Sequence, residues 1–210
     1  MIRSLILLLQ KFRREERAVA AVEFALITPF LLTMYLGSIE AAALFTADKR
    51  VNSVSATVGD LVSQWDADED TCKAVGCKLP TAELTDYLAA SSLIMMPYST
   101  TNLRIVISLV KVKANGDTQV LWSRANATGT PRGVGTSIPN FPSSFMMNQM
   151  AQKGCIIVSE ASYSYRPMLA QVFTTALNLA HTNYLMPRYG SAVPINLQDT
   201  TLAATACTAA

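Results

Sequence analysis

His181 is the only histidine in the chain, and the sequence has no GxSxG, HExxH, phosphate-loop or GxGxxG pattern. With no acid–base constellation to work from, neither an enzyme nor a cofactor is expected. His181 reads as a half-exposed residue at a strand start, and Glu160, beside Tyr163 and Tyr165, as a solvated strand position. Strong charge of one sign is also lacking. The formal net charge is +2, and no stripe of Lys or Arg interleaved with aromatics follows the amino-terminal region, which argues against a nucleic-acid partner. Cysteine is absent before residue 72. All four, Cys72, Cys77, Cys155 and Cys207, come later.

One absence organises the rest. No charged residue stands between Glu23 and Glu40. The helical rise carries that stretch across roughly 25 Å, close to the ~30 Å hydrocarbon core of a bilayer. Residues 19–45 therefore predict one membrane-spanning helix, bent but not ended by Pro29. Before it, Arg3, Lys11, Arg13, Arg14 and Arg17 outweigh Glu15 and Glu16. The positive-inside rule then puts residues 1–18 in the cytoplasm and residues 46–210 outside it. That far side suits disulfides, since an even number of cysteines lies wholly in a compartment that oxidises thiols. Three pairings are open. Cys72 with Cys77 and Cys155 with Cys207 is favoured, because the first closes a short loop and the second ties down the tail.

Residues 1–17 place a short apolar run before KFRREER, the reverse of an ordinary secretory signal. They read either as an amphipathic tail on the headgroups or as a removable leader. Glu23 raises the same choice. A carboxylate at the centre of a bilayer helix costs roughly 2.5–3.5 kcal/mol on insertion scales. Glu23 either reaches back to Arg17 at the surface or, if the chain is cut after Ala18, lies near a new amino terminus at Val19.

Beyond the span, Val51, Val54, Val58, Leu61 and Trp65 recur at helical steps. They extend the helix to about residue 65 unless it breaks at Lys49 and Arg50. Asp66, Asp68 and Asp70 imitate the start of a calcium loop, but Thr71 and Cys77 stand where Gly and Glu are needed. A short stapled loop fits better. A helix is predicted over 81–93, with Leu84, Tyr87, Leu88 and Leu93 on one side, ended by Pro97. Strands are predicted over 103–112 and 118–124, joined at Asn115–Gly116 with Val120 and Trp122 on one face, then over 155–166 and 182–188. Leu169, Val172, Phe173, Ala176 and Leu177 suggest a helix between the last two. The predicted fold is α+β: a long amino-terminal helix continuing into an exported domain with a mostly antiparallel sheet of about four strands, an architecture that the resemblance below makes pilin-like.

FRREERAVAAVEFALITPFLL, followed by LGSIE, resembles the amino-terminal signature of the TadE/TadG-like proteins of the tight-adherence (Tad, or Flp) pilus system. NSVSATVGDLVSQ and NYLMPRY are similar to the family as well. In that family a basic leader ends in a small residue, usually Gly, then four residues, then Glu with an aromatic. A prepilin peptidase cuts after the small residue in processed members. The resemblance places the cut between Ala18 and Val19, recognition and subunit register at Glu23 and Phe24, and helix landmarks at Pro29, Gly37 and Glu40. Ala18 departs from the usual Gly. It implies a pseudopilin of the bacterial inner membrane supporting surface attachment and biofilm formation. The implied partners are other pilin-like subunits, the tight-adherence secretion machinery and prepilin peptidase. The other reading of the same residues is a single-span, membrane-anchored periplasmic binding domain unrelated to a filament.

Overall fold

The computed structural model describes residues 16–65, 78–113, 115–139, 141, 154–167, 175–188, 195–200 and 207. The chain divides into two compact units, Met1–Phe45 and Thr46–Ala210. The basic leader over residues 1–15, the Cys72–Cys77 loop with its three aspartates, and Leu169, Val172 and Phe173 lie outside the described residues.

The first helix, α1 (Glu16–Ser63), passes through Pro29 without ending. Pro29 has no N–H, so the turn before it lacks one helical donor. Side-chain hydroxyls bond to nearby carbonyls instead of facing outward unpaired: Thr28 Oγ1 donates to the Phe24 carbonyl at 2.6 Å, Thr33 Oγ1 to that of Phe30 at 2.8 Å, and Ser38 Oγ to that of Tyr35 at 2.7 Å. Such internal bonding lets polar side chains sit in an apolar segment. In the first unit Phe24, Leu26, Phe30, Met34 and Tyr35 are all more than half exposed. This helix is long and apolar enough to cross a membrane.

The second unit is built on a four-stranded antiparallel sheet of order β2-β1-β3-β4. Its strands are β1 (Leu103–Val112), β2 (Thr118–Ala125), β3 (Cys155–Tyr165) and β4 (Leu177–Leu185). The long amino-terminal helix and this sheet make the α+β architecture that the sequence predicts. Lys49 and Arg50 are helical. From there on, Val51, Val54, Val58 and Val62 are fully buried, whereas Leu61 and Trp65 are only half-buried. Val62 lies eleven residues beyond Val51, back on nearly the same side of the helix, and Leu61 falls about 80° away.

One sheet face receives α1. Ser55 Oγ donates to the Ser159 carbonyl at 2.7 Å, Asn183 Nδ2 donates to Ser55 Oγ at 3.1 Å, and the backbone N–H of Arg188 donates to the Ser63 carbonyl at 2.8 Å. Gly59 makes this approach possible. A Cβ there would stand 2.5 Å from Leu185 Cδ1 and 2.9 Å from Ser159 Cβ. The mid-helix glycine, unfavourable by about 1 kcal/mol against alanine, thus has a packing reason.

The hairpin turns at Asn115 and Gly116, where Gly116 has a φ of 86°, the left-handed backbone that favours glycine. Its register corrects one expectation. Leu109 faces Trp122 but Val110 faces Val120, so the irregularity at this step sends Val120 and Trp122 to opposite faces. Trp122 is fully buried and its indole N–H donates to the Ile195 carbonyl at 2.7 Å. Val120 packs on the other face with Val110, Val112, Ile138, Ile156 and Val158. Ile138 and Phe141 of the following loop pack on that face, and the loop pairs with the outer edge of β2: the Val120 N–H donates to the Thr136 carbonyl and the Gly135 N–H to the Val120 carbonyl, each at 2.8 Å.

The helix α2 (Thr81–Met95) buries Leu84, Ser91 and Met95. Leu93 is exposed, contrary to its predicted place in the buried stripe, because nine residues from Leu84 carry it about half a turn around. Its N-cap is Pro80, without a side-chain cap. Strand β4 begins five residues earlier than predicted, with Leu177 paired to Tyr165, so Leu177 is a strand residue and not part of a helix. Its early end fits Pro187, which has no N–H for the ladder. Cys155, at the start of β3, is joined to Cys207 by a disulfide across 52 positions of sequence.

Two stability predictions follow from this packing. Gly59→Ala should lower stability by about 1–3 kcal/mol despite the gain in helix propensity, because the added methyl meets Ser159 and Leu185. Chemical unfolding of the detergent-solubilised full chain, followed by tryptophan fluorescence, measures it; a stabilised variant would refute the close approach. Replacing Cys155 and Cys207 together by serine should cost about 2–4 kcal/mol in the same assay. An unchanged midpoint would mean that this disulfide restrains nothing in the unfolded chain.

Candidate functional site

The amino-terminal motif lies on α1, which starts at Glu16, so the Ala18–Val19 bond is within the helix. Val19 is 53% exposed and Phe24 69%. Glu23 is exposed, and no ion-pair partner for it occurs among the described residues. Adding a Cβ to Gly37 would meet nothing within 4 Å, so this glycine presents open backbone. Glu40 is buried. Helical rise separates Glu23 from Glu40 by roughly 25 Å, so the landmarks are strung along one helix and converge on no single point. Such a surface offers van der Waals area and a single carboxylate. It is suited to contact with lipid or other helices, and it holds no group placed to attack a bond.

The polar groups of the second unit serve its packing. His181 Nε2 lies 2.7 Å from Asp48 Oδ1, linking β4 to α1. His181 sits within β4, past its start. Glu160 is not a solvated lone acid. Arg132 grips it in a fork, Nε to Oε2 at 2.6 Å and Nη2 to Oε1 at 2.5 Å, with both side chains about a quarter exposed. This bidentate geometry is the strong form of the pairing. Hydrogen bonding to Glu160 raises the Arg132 pKa. Burial, followed by the Glu160 charge, raises that of Tyr184. Tyr163 and Tyr165 alternate away from Glu160 to the opposite face, where Tyr98 packs edge-on against both at 6.5 and 6.3 Å. Beside the Arg132–Glu160 pair is an open hollow edged by Arg104, Thr130, Ser162 and Thr182. No group of three His, Cys, Asp or Glu side chains able to hold a metal occurs among the described residues.

Sequence reasoning missed the Arg132–Glu160 fork. Arg132 lies in a Gly- and Pro-rich loop 28 residues from its partner. A charged residue inside an otherwise uncharged strand was the only hint that a counter-ion was needed.

Among curated proteins and among solved structures, nothing matches this chain. A family comparison does. Residues 18–59 match the family model described as TadE-like protein, a segment that holds Glu23, Phe24, Pro29, Gly37, Glu40 and the Gly59 packing site. Over that amino-terminal segment the chain is similar to the TadE-like proteins.

Proposed function

We propose that this protein is a membrane-anchored, pilin-like component of tight-adherence pilus assembly, a minor pseudopilin that acts by joining other subunits. Similarity to the TadE-like family over residues 18–59 supports a component associated with the Tad pilus, in a family of assembly proteins and not of enzymes. The observation that carries the finer reading is the exposed apolar surface of α1 from Val19 to Phe45 within the family match. Residues 19–45 are the span, with residues 1–18 cytoplasmic and residues 46–210 in the periplasm of a bacterium. The excess of Lys and Arg before the span supports that orientation, and the Cys155–Cys207 disulfide suits an oxidising compartment. The partners are the inner membrane, other pilin-like subunits, the tight-adherence machinery and a prepilin peptidase, and the outcome is surface attachment and biofilm formation.

In this reading cleavage after Ala18 frees the amine of Val19. Glu23 then lies four residues, roughly 6 Å, along the helix from it. In a bundle its carboxylate meets a neighbour's terminal amine. An unpaired charge in apolar surroundings is costly, so this pairing selects axial register even where its net stabilisation is small.

Deleting the gene in its own bacterium should abolish surface pili and adherence, as seen by imaging and attachment assays; normal pili would overturn the assignment. Exchanging residues 19–45 for an unrelated single span should also abolish function, and full activity would favour a binding domain that merely needs an anchor. Mass spectrometry of the mature protein should find Val19 as its first residue. Glu23→Ala should still insert but fail to assemble, with Glu40→Ala less harmful. Persistence of Met1 would end the paired-terminus mechanism, and normal assembly of Glu23→Ala would end the register argument alone.

A further inference from the structure

Contacts within the second unit fix which end of its sheet carries Thr46, the unit's first residue. Along α1, Asp48 meets His181, Ser55 meets Asn183, Gly59 lies against Leu185, and Ser63 accepts from Arg188. The helix therefore runs parallel to β4, and the start of β4 lies at the Thr46 end. The end of α2 is held there too, since Arg50 Nη1 donates to the Ile94 carbonyl at 2.7 Å. Tyr98, just beyond α2, packs on Tyr163 and Tyr165, the latter opposite Leu177.

The large apolar side chains left exposed in this unit, among the described residues, are Leu93 at 73%, Met96 at 61%, Val134 at 73% and Leu177 at 43%. Only Val134 is elsewhere, next to the Gly135 that bonds Val120 toward the opposite end of the sheet. Leu93, Met96 and Leu177 share the Thr46 end. Lys49 and Arg166 are exposed there, and no ion-pair partner for either occurs among the described residues. The nearby carboxylate of Asp48 is engaged by His181. Glu83 and Asp86 belong to the first half of α2, about 15 Å and 10 Å from Leu93 along its axis. Asp117 is in the hairpin at the far end of β1.

We propose that this end of the second unit is a membrane-contact surface: Leu93, Met96 and Leu177 enter the interfacial layer of a phospholipid bilayer while Lys49 and Arg166 pair with lipid phosphates. Apolar side chains ringed by cations are the combination that binds anionic lipid surfaces. Continuity of chain supports a bilayer as occupant, since Thr46 directly follows the apolar span. The inference rests on the membrane-anchor reading above and adds a second contact to it.

The test is photo-cross-linking of the full chain, reconstituted in phosphatidylcholine vesicles containing a minority of phosphatidylglycerol. A phospholipid with a diazirine in its upper acyl chain is included, and the adducts are mapped by mass spectrometry. Adducts at 93–96 and at 177 are expected at least about fivefold above those at Val134, with a fall in yield when phosphatidylglycerol is omitted. Adducts confined to residues 19–45 would overturn this inference and leave the anchor standing. Adducts nowhere would overturn the anchor reading itself. Yields at 93–96 and 177 no higher than at Val134 would overturn the inference, and equal yields without phosphatidylglycerol would overturn the part given to Lys49 and Arg166.

Discussion

The second unit depends on how closely a helix can lie on β3 and β4. At Gly59 the separation leaves no room for a methyl group, and one turn earlier Ser55 reaches the Ser159 carbonyl directly. With a larger residue at 59 the helix would have to rise, stretching the Ser55 bond and loosening the valines beneath it. Interiors pack at crystal-like density and forgive little displacement of this kind. The Asp48–His181, Asn183–Ser55 and Arg188–Asp60 contacts all require the same separation, so one absent side chain sets the geometry of four polar links.

The two portions of α1 meet opposite requirements. From Thr46 onward one stripe is apolar and buried, with Asn52, Ser53 and Thr57 exposed beside it. Before that, apolar residues surround the helix and remain exposed, while hydroxyls fold back on their own carbonyls. A helix apolar all round needs an apolar environment, and one with a single stripe needs a partner face. One continuous element thus carries two different demands on its surroundings.

What could be read from the sequence depended on how local its cause was. The span, the Asn115–Gly116 turn and the β1, β2 and β3 strands arise from patterns a few residues long, and composition alone reveals them. The amino-terminal motif was equally plain, because its Glu interrupts an apolar run. Leu93 and Leu61 lie off the buried stripes because one residue of phase turns a side chain by about 100°. Val120 and Trp122 face opposite ways through a bulge that leaves no mark in the alternation it disrupts. Gly59, Arg132 and Glu160 were illegible for a different reason: each is explained by a residue far away in the chain, Glu160 by an arginine in a loop and Gly59 by a serine in β3.

The bonds from Val120 to Gly135 and Thr136 bear on what the outer strand of the sheet can pair with. An outer strand with idle amides and carbonyls is a template for any other extended chain. Here the protein's own loop occupies the template at that position. The Gly- and Pro-rich segment that looks like mere connection therefore acts as a guard over the outer edge of β2 at Val120.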